Sequence, residues 1–205
     1  MTKRRIGWLS AALLGLLMGS IALAAMSPQE LVKQTSQRML NALQQENEAI
    51  KKNPQRVRKL VDEIVLPHFD FQLMTKLALG RYWRHASGQQ HGELVDEFRN
   101  LLIRTYQSSL AQYSGQKIQY LPFNGDVGSG DVTVKTEVEQ KGAPPIPIDY
   151  SLRLESGAWK VYDVTIDGVS LVINYRSSFA SEIRQGGIDG LIQKLKARNR
   201  QAGEG

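Results

Sequence analysis

From residue 57 onward the apolar positions Val57, Leu60, Val61, Ile64 and Val65 recur at i, i+3, i+4, i+7 and i+8. That spacing lays one apolar stripe along a helix. Asn53-Pro54 opens this helix and Leu66-Pro67 ends it. Upstream, Ser27-Pro28-Gln29-Glu30 reads as a helix start, with Ser27 as cap, Pro28 in the first turn and Glu30 completing a capping box. The helix that follows carries Leu31, Val32, Met39, Leu43 and Ile50, is polar for its length, and is expected on the surface. Asp70 caps a short helix through Phe71, Met74, Leu77 and Ala78, which Gly80 stops. Ser87 then opens a long helix in which Leu94, Val95, Phe98, Leu101, Leu102 and Leu110 keep the period.

After Gly115 the period changes to two. Lys117 to Leu121 predicts a short strand, and Asn124 to Gly130 a turn. Val132, Val134, Thr136 and Val138 alternate with polar neighbours, as do Ile148, Tyr150, Leu152 and Leu154. Gly142-Ala143-Pro144-Pro145 is expected to break the chain between them. Ser156-Gly157 marks a hairpin turn into a strand from Trp159 to Ile166. Ser170 to Asn199 reads as helix again, interrupted at Gly186-Gly187, with Ile188, Leu191, Ile192 and Leu195 on its last apolar face. Helices, then strands, then helix predict one α+β domain built on an antiparallel sheet.

The first 24 residues stand apart from this pattern. Lys3, Arg4 and Arg5 precede an uncharged apolar stretch from Ile6 to Ile21, and Ala22-Leu23-Ala24 fits a small-x-small cleavage site. Residues 1–24 are therefore expected to be a removed signal peptide, and 25–205 a single exported domain. Residues 1–24 hold three cations and no anion, so the formal charge of +6 falls to +3. That is too weak a balance to argue for nucleic acid, and it mildly favours anionic lipid head groups. The absence of cysteine removes disulfides, thiolate metal sites, Cys nucleophiles and a lipoprotein anchor together.

Residues that could carry chemistry are few. His68, His85 and His91 lack the i, i+4 spacing that aims two imidazoles from one helix face, so no metal site is expected. The Gly125–Gly130 run lies between strands, where it predicts a hairpin turn rather than a phosphate cradle. Asp163 is expected to hydrogen-bond neighbouring elements, and Asp167-Gly168 to turn. The stronger signal is apolar. Trp159, Val161, Tyr162, Val164 and Ile166 place large side chains on both faces of one strand, and both faces then need cover from helices or a ligand.

Two stretches carry a resemblance. Leu77-Ala78-Leu79-Gly80-Arg81-Tyr82-Trp83-Arg84, followed by the helix with Phe98, Leu101, Leu102 and Tyr106, resembles the central signature of the MlaC (toluene-tolerance) family. Val161 to Leu171, continuing through Asn174-Tyr175-Arg176-Ser177-Ser178-Phe179, resembles a second, longer one, and Gly187 to Ile192 is similar to the family's end. The resemblance implies an NTF2-like α+β fold with a hydrophobic lipid cavity between sheet and helices. It implies a periplasmic shuttle that holds a diacyl phospholipid as cargo, with no other cofactor and no catalytic residues. The implied partners are an outer-membrane lipoprotein–porin complex and an inner-membrane MCE-type ABC transporter, the shuttle between them maintaining outer-membrane lipid asymmetry.

Alternation and period assign the cavity wall to Val132, Val134, Tyr150, Leu152, Val161, Val164 and Ile166 from the sheet, and to Phe71, Leu94, Phe98, Leu101 and Leu102 from helices. A diacyl lipid with roughly 28 methylenes calls for on the order of 900 Å² of apolar lining at about 25 cal/mol per Å². Arg81, Arg84 and Arg176 are candidate contacts for the head group or for partner complexes. Two other functions compete: a secreted NTF2-like enzyme acting on a small apolar substrate with Asp163 or His68 as base, and a ligand-free envelope adaptor whose interior is filled by its own side chains.

Overall fold

A computed structural model describes residues 26–112 and 115–201. The expected leader, 1–24, lies outside the described residues. The first helix, α1, spans Pro28–Gln45. Ser27 caps it by accepting from the Glu30 N–H at 3.2 Å. The expected reciprocal half of the capping box is absent, because the Glu30 carboxylate accepts from Gln34 Nε2 at 2.8 Å instead. The helix takes the surface position expected for it, with its polar flanks toward water. Leu31, Val32, Met39 and Leu43 are all buried, because α1 lays a narrow apolar stripe across two cores while its other flanks face water.

Next come α2 (Asn47–Lys52) and α3 (Arg56–Leu60). The stripe from Val57 continues past α3 through a π turn, Val61–Val65, into a 3-10 turn at Leu66–His68. Helix α4 (Phe71–Leu79) is capped by Asp70, whose Oδ1 accepts from the Leu73 N–H at 2.8 Å, and it stops where Gly80 takes φ 55°. A 3-10 segment, Gly80–His85, leads to α5 (Gly88–Ala111). Ser87 and Gln90 form a complete capping box at its start.

The strands are β1 (Ile118–Tyr120), β2 (Asp131–Gln140), β3 (Ala143–Glu155), β4 (Ala158–Ile166) and β5 (Val169–Ser170), a meander in the order β1-β2-β3-β4-β5 with every pair antiparallel. Ser156-Gly157 and Asp167-Gly168 turn the chain with positive φ at both residues, 49° and 83°, then 49° and 77°. The break expected across Gly142-Ala143-Pro144-Pro145 is confined to its first residue, since β3 begins at Ala143 and runs through Pro144, Pro145 and Pro147. That end of β3 extends beyond β4, whose last partner is Ile148, so the prolines deprive no second neighbour of an N–H.

Register decides which side chains share a face. Val132 pairs with Leu152 and Leu152 with Val161; Val134 pairs with Tyr150 and Tyr150 with Val164; Thr136 pairs with Ile148 and Ile148 with Ile166. A bulge lies opposite Ser151 and Leu152, whose partners are Asp163 and Val161, leaving Tyr162 as the extra residue. Strict alternation sends Val161 to the opposite face from Val164 and Ile166. The bulge returns all three to one side. The expectation of large side chains spread over both faces is thereby corrected: Trp159, Val161, Val164 and Ile166 all join one cluster, and Tyr162, which also packs against it, donates its hydroxyl to Asp131 at 2.9 Å.

The final helix, α6 (Leu171–Gln201), kinks at Gly187, with φ 69° and ψ −174°. The main core lies between one sheet face and α1, α4, α5 and α6. A second core of Met39, Leu43, Ile50, Val57, Leu60, Val61, Ile64 and Ile103 joins the first three helices to α5.

Candidate functional site

All twelve residues assigned to the wall meet in the main core. Leu94, Phe98 and Leu102 on α5 and Val132, Val134, Leu152, Val161 and Val164 on the sheet are buried; Phe71, Leu101, Tyr150 and Ile166 are half-buried against them. Alternation along β2 and β3 puts the sheet members on one face, and the 3.6-residue period stacks the α5 members opposite. Sequence reasoning missed the contribution of α6. Phe98 is flanked edge-on by Tyr175 at 5.1 Å and Phe179 at 5.2 Å. The signal was available: Leu171, Tyr175, Phe179 and Ile183 recur every four residues on one helical face. Hollows of about 330 Å³ beside Leu43, Ile50 and Leu110 and about 250 Å³ beside Trp83 and His91 lie elsewhere, while the twelve residues pack against one another.

The polar groups within this layer are hydroxyls rather than charges. Thr136 is buried, and its Oγ1 donates to the Ile148 carbonyl at 2.9 Å. Burial pushes the Tyr150 phenol up to about 12, against smaller opposing effects of hydrogen bonds to Thr136 and Ser36. Tyr120 is raised by burial too and shares the Ser36 hydroxyl. Both phenols are therefore neutral at physiological pH, and the wall presents no ionised group from them.

The residues considered for catalysis are otherwise engaged. Asp163 Oδ2 accepts from Ser170 Oγ at 2.5 Å, and its Oδ1 accepts from the N–H groups of Val164 at 2.8 Å and Val172 at 3.1 Å. The carboxylate thus ties β4 to the first turn of α6. His68 is half-buried in the 3-10 turn, and desolvation, reinforced by Lys160 and Arg38, holds its imidazole below the ordinary value. His91 stacks on Trp83 at 3.8 Å, with Nε2 2.8 Å from the Trp83 carbonyl. His85 is exposed. Among the described residues no group of three His, Cys, Asp or Glu is placed to hold a metal ion. The Gly125–Gly130 run is a turn, with Val127–Ser129 in a 3-10 turn capped by Asp126.

Arg81, Arg84 and Arg176 are exposed. Arg81 Nη2 donates to the Tyr82 hydroxyl at 3.1 Å. Arg176 lies across Gly80 so closely that a Cβ there would sit 2.8 Å from its Nη2. Glycine at position 80 thus serves both the positive φ and the approach of α6. Arg81 and Arg84 share the short segment that Arg176 meets at its first residue.

A family model described as MlaC protein matches residues 33–197. The chain belongs to the MlaC family. It is 28% identical over 192 residues to an intermembrane phospholipid transport system binding protein MlaC of Haemophilus influenzae, covering 92% of this chain and 89% of that protein. It is 26% identical over 170 residues to the toluene tolerance protein ttg2D of Pseudomonas putida, covering 82% and 79%. Among solved structures, a phospholipid-binding protein from Ralstonia solanacearum in complex with a phospholipid superposes with a TM-score of 0.81 at 35% identity, over 87% of this chain and 99% of that one. The MlaC match spans the sheet and nearly all of the helices around it, and it covers all twelve wall residues. Among the described residues, no helix of this MlaC-family chain is long and apolar enough to cross a membrane.

Proposed function

We propose that this chain is a periplasmic phospholipid carrier. Its acyl chains would enter the apolar layer between the sheet and α4, α5 and α6, against the twelve wall residues. The observation that carries this reading is the continuous apolar cluster, on a fold shared with a protein solved in complex with phospholipid. Transfer into such a layer gains about 0.8 kcal/mol per methylene. The wall side chains are already in mutual contact, so loading requires the two layers to part. Partners in the relay would be an outer-membrane lipoprotein–porin complex and an inner-membrane MCE-type ABC transporter, and removal of residues 1–24 would release the carrier into the periplasm. Arg81, Arg84 and Arg176 would meet the head group or those partners.

A non-catalytic role is favoured by Asp163, whose oxygens already accept three hydrogen bonds in a structural clasp and offer no free base to a substrate. The test is organic extraction and mass spectrometry of protein purified from the periplasm without detergent. Near-stoichiometric phospholipid is expected. A lipid-free protein that also takes no lipid from liposomes would sink the carrier reading.

A further inference from the structure

We propose that His68 is a proton-operated release on the clamp that ties the helical layer to β4, so that acidification speeds the exchange of cargo. The inference rests on the carrier reading and adds to it a regulated step.

The clamp is built on main-chain groups. Just after the 3-10 turn Leu66–His68, Phe69 forms an isolated parallel bridge with Val161, and the Asp70 N–H donates to the Val161 carbonyl at 2.9 Å. Lys160, the preceding residue on β4, reaches back and donates Nζ to the Pro67 carbonyl at 2.5 Å. Residues 67–70 thus hold the edge of β4 that lies away from β3. Phe69 stacks with Phe71 at 5.7 Å, and both pack against the main core. Val161 and Phe71 belong to the proposed wall, so the clamp closes the apolar layer along one edge. Parting the layers at this edge breaks the Asp70 and Lys160 hydrogen bonds.

His68 sits in the middle of the clamp, between Pro67 and Phe69. The Lys160 ammonium is held on the carbonyl of the residue just before it. Arg38 adds a cation from α1. The carboxylates of the surrounding elements are engaged elsewhere. Asp62 and Glu63 stand 3.8 Å from Arg58 and Lys59, and Asp70 Oδ1 accepts from the Leu73 N–H. On β4 itself, Asp163 is held by Ser170 and the Val172 N–H. None of the ion pairs among the described residues includes His68. A neutral imidazole fits these surroundings, whereas an imidazolium adds a cation beside Lys160. The repulsion falls on Lys160, which is tied to Pro67 by one contact at the end of a flexible stem. Burial first, then Lys160 and Arg38, hold the imidazole below its ordinary value in the closed clamp. Opening relieves all three. A proton that binds the open clamp more tightly must, by reciprocity, favour opening.

The experiment uses protein purified from the periplasm, at about pH 7.5 and about pH 5, on either side of the ordinary histidine value. The first readout is hydrogen-exchange protection of the Asp70 amide, corrected for the intrinsic rate at each pH. The second is transfer of a fluorescent phospholipid from loaded protein to phosphatidylcholine vesicles. In wild type, acidification should lower the protection and raise the transfer rate about fivefold, the low end of couplings between sites. His68→Gln, neutral throughout, should keep its slow transfer at both pH values. His68→Arg, a cation throughout, should transfer fast at both. An equal pH response in wild type and His68→Gln would overturn the release. A fall in Asp70 protection with no change in transfer would overturn its link to cargo. Failure of the carrier reading itself looks different, because wild type then holds no lipid at either pH, while the Asp70 amide still reports on the clamp.

Discussion

Asp163 and His68 were the two residues with the strongest claim to chemistry in the sequence, and their surroundings give each a structural explanation. Asp163 joins β4 to α6 through Ser170 and the Val172 N–H. His68 is desolvated with two cations near it, so its folded form gives up its proton below the ordinary value of 6.5. The sign follows. Below pH 6.5 the unfolded chain protonates this residue first, so stability falls with pH until the lower folded value is reached and then levels off. Urea midpoints taken between about pH 7 and pH 5 should therefore decline in wild type and decline less in His68→Gln. An equal decline in both would remove His68 as the cause. Asp163 takes the structural role expected of it, but the environment of His68 could not be read from spacing. Desolvation depends on what packs around a side chain, and Lys160 and Arg38 come from distant parts of the sequence.

Elements show the same division. The interruption of the last helix at Gly186-Gly187 was legible, because paired glycines weaken a helix whatever surrounds them. Gly187 takes φ 69° and ψ −174°, a region in which an L side chain is strained. The bend lets the second half of α6 return along α5, where Lys196 meets Glu93 at 2.5 Å and Asn199 donates to the Glu97 carbonyl at 2.9 Å. Gly187→Ala should cost about 1–3 kcal/mol of stability, read as a lower urea midpoint, and an unchanged midpoint would mean that the bend is not held. The bulge in β4 was not legible. Nothing in Val161-Tyr162-Asp163-Val164 departs from a plausible alternating strand, and the extra residue appears only once β3 fixes the partner of each position. The prolines at the start of β3 were misread for a related reason. Whether a missing N–H matters depends on whether a neighbouring strand needs it.

For the whole molecule, the decisive feature is that one sheet face and four helices, α1, α4, α5 and α6, bury a single apolar layer. Val134 and Val164 face each other across Tyr150 within it, at 1% and 8% exposure. Val134→Trp and Val164→Trp should each lower the lipid recovered per protein while leaving the circular dichroism spectrum native. Overpacking should cost about 1–3 kcal/mol of stability. Full lipid content in both variants would place the acyl chains outside this layer. The second core, shared by α1, α2, α3 and α5, contains none of the wall residues, so it would hold the helices together if the first core opened as the proposed loading requires.

The sequence by itself determined the kind and order of the elements, because helical and strand periods, caps and turn residues act over a few neighbours and leave a local trace. It also determined that the interior would be apolar, since alternation along β2 and β3 and the stripe on α5 specify buried faces regardless of partner. Only the tertiary structure decided that α1 is buried on one flank, that the β4 bulge brings Val161 onto the same face as Val164, and that Arg176 from α6 lies across Gly80 beside Arg81. Each of these depends on which distant segment comes to lie alongside, and side-chain burial, strand register and charge convergence are properties of that pairing.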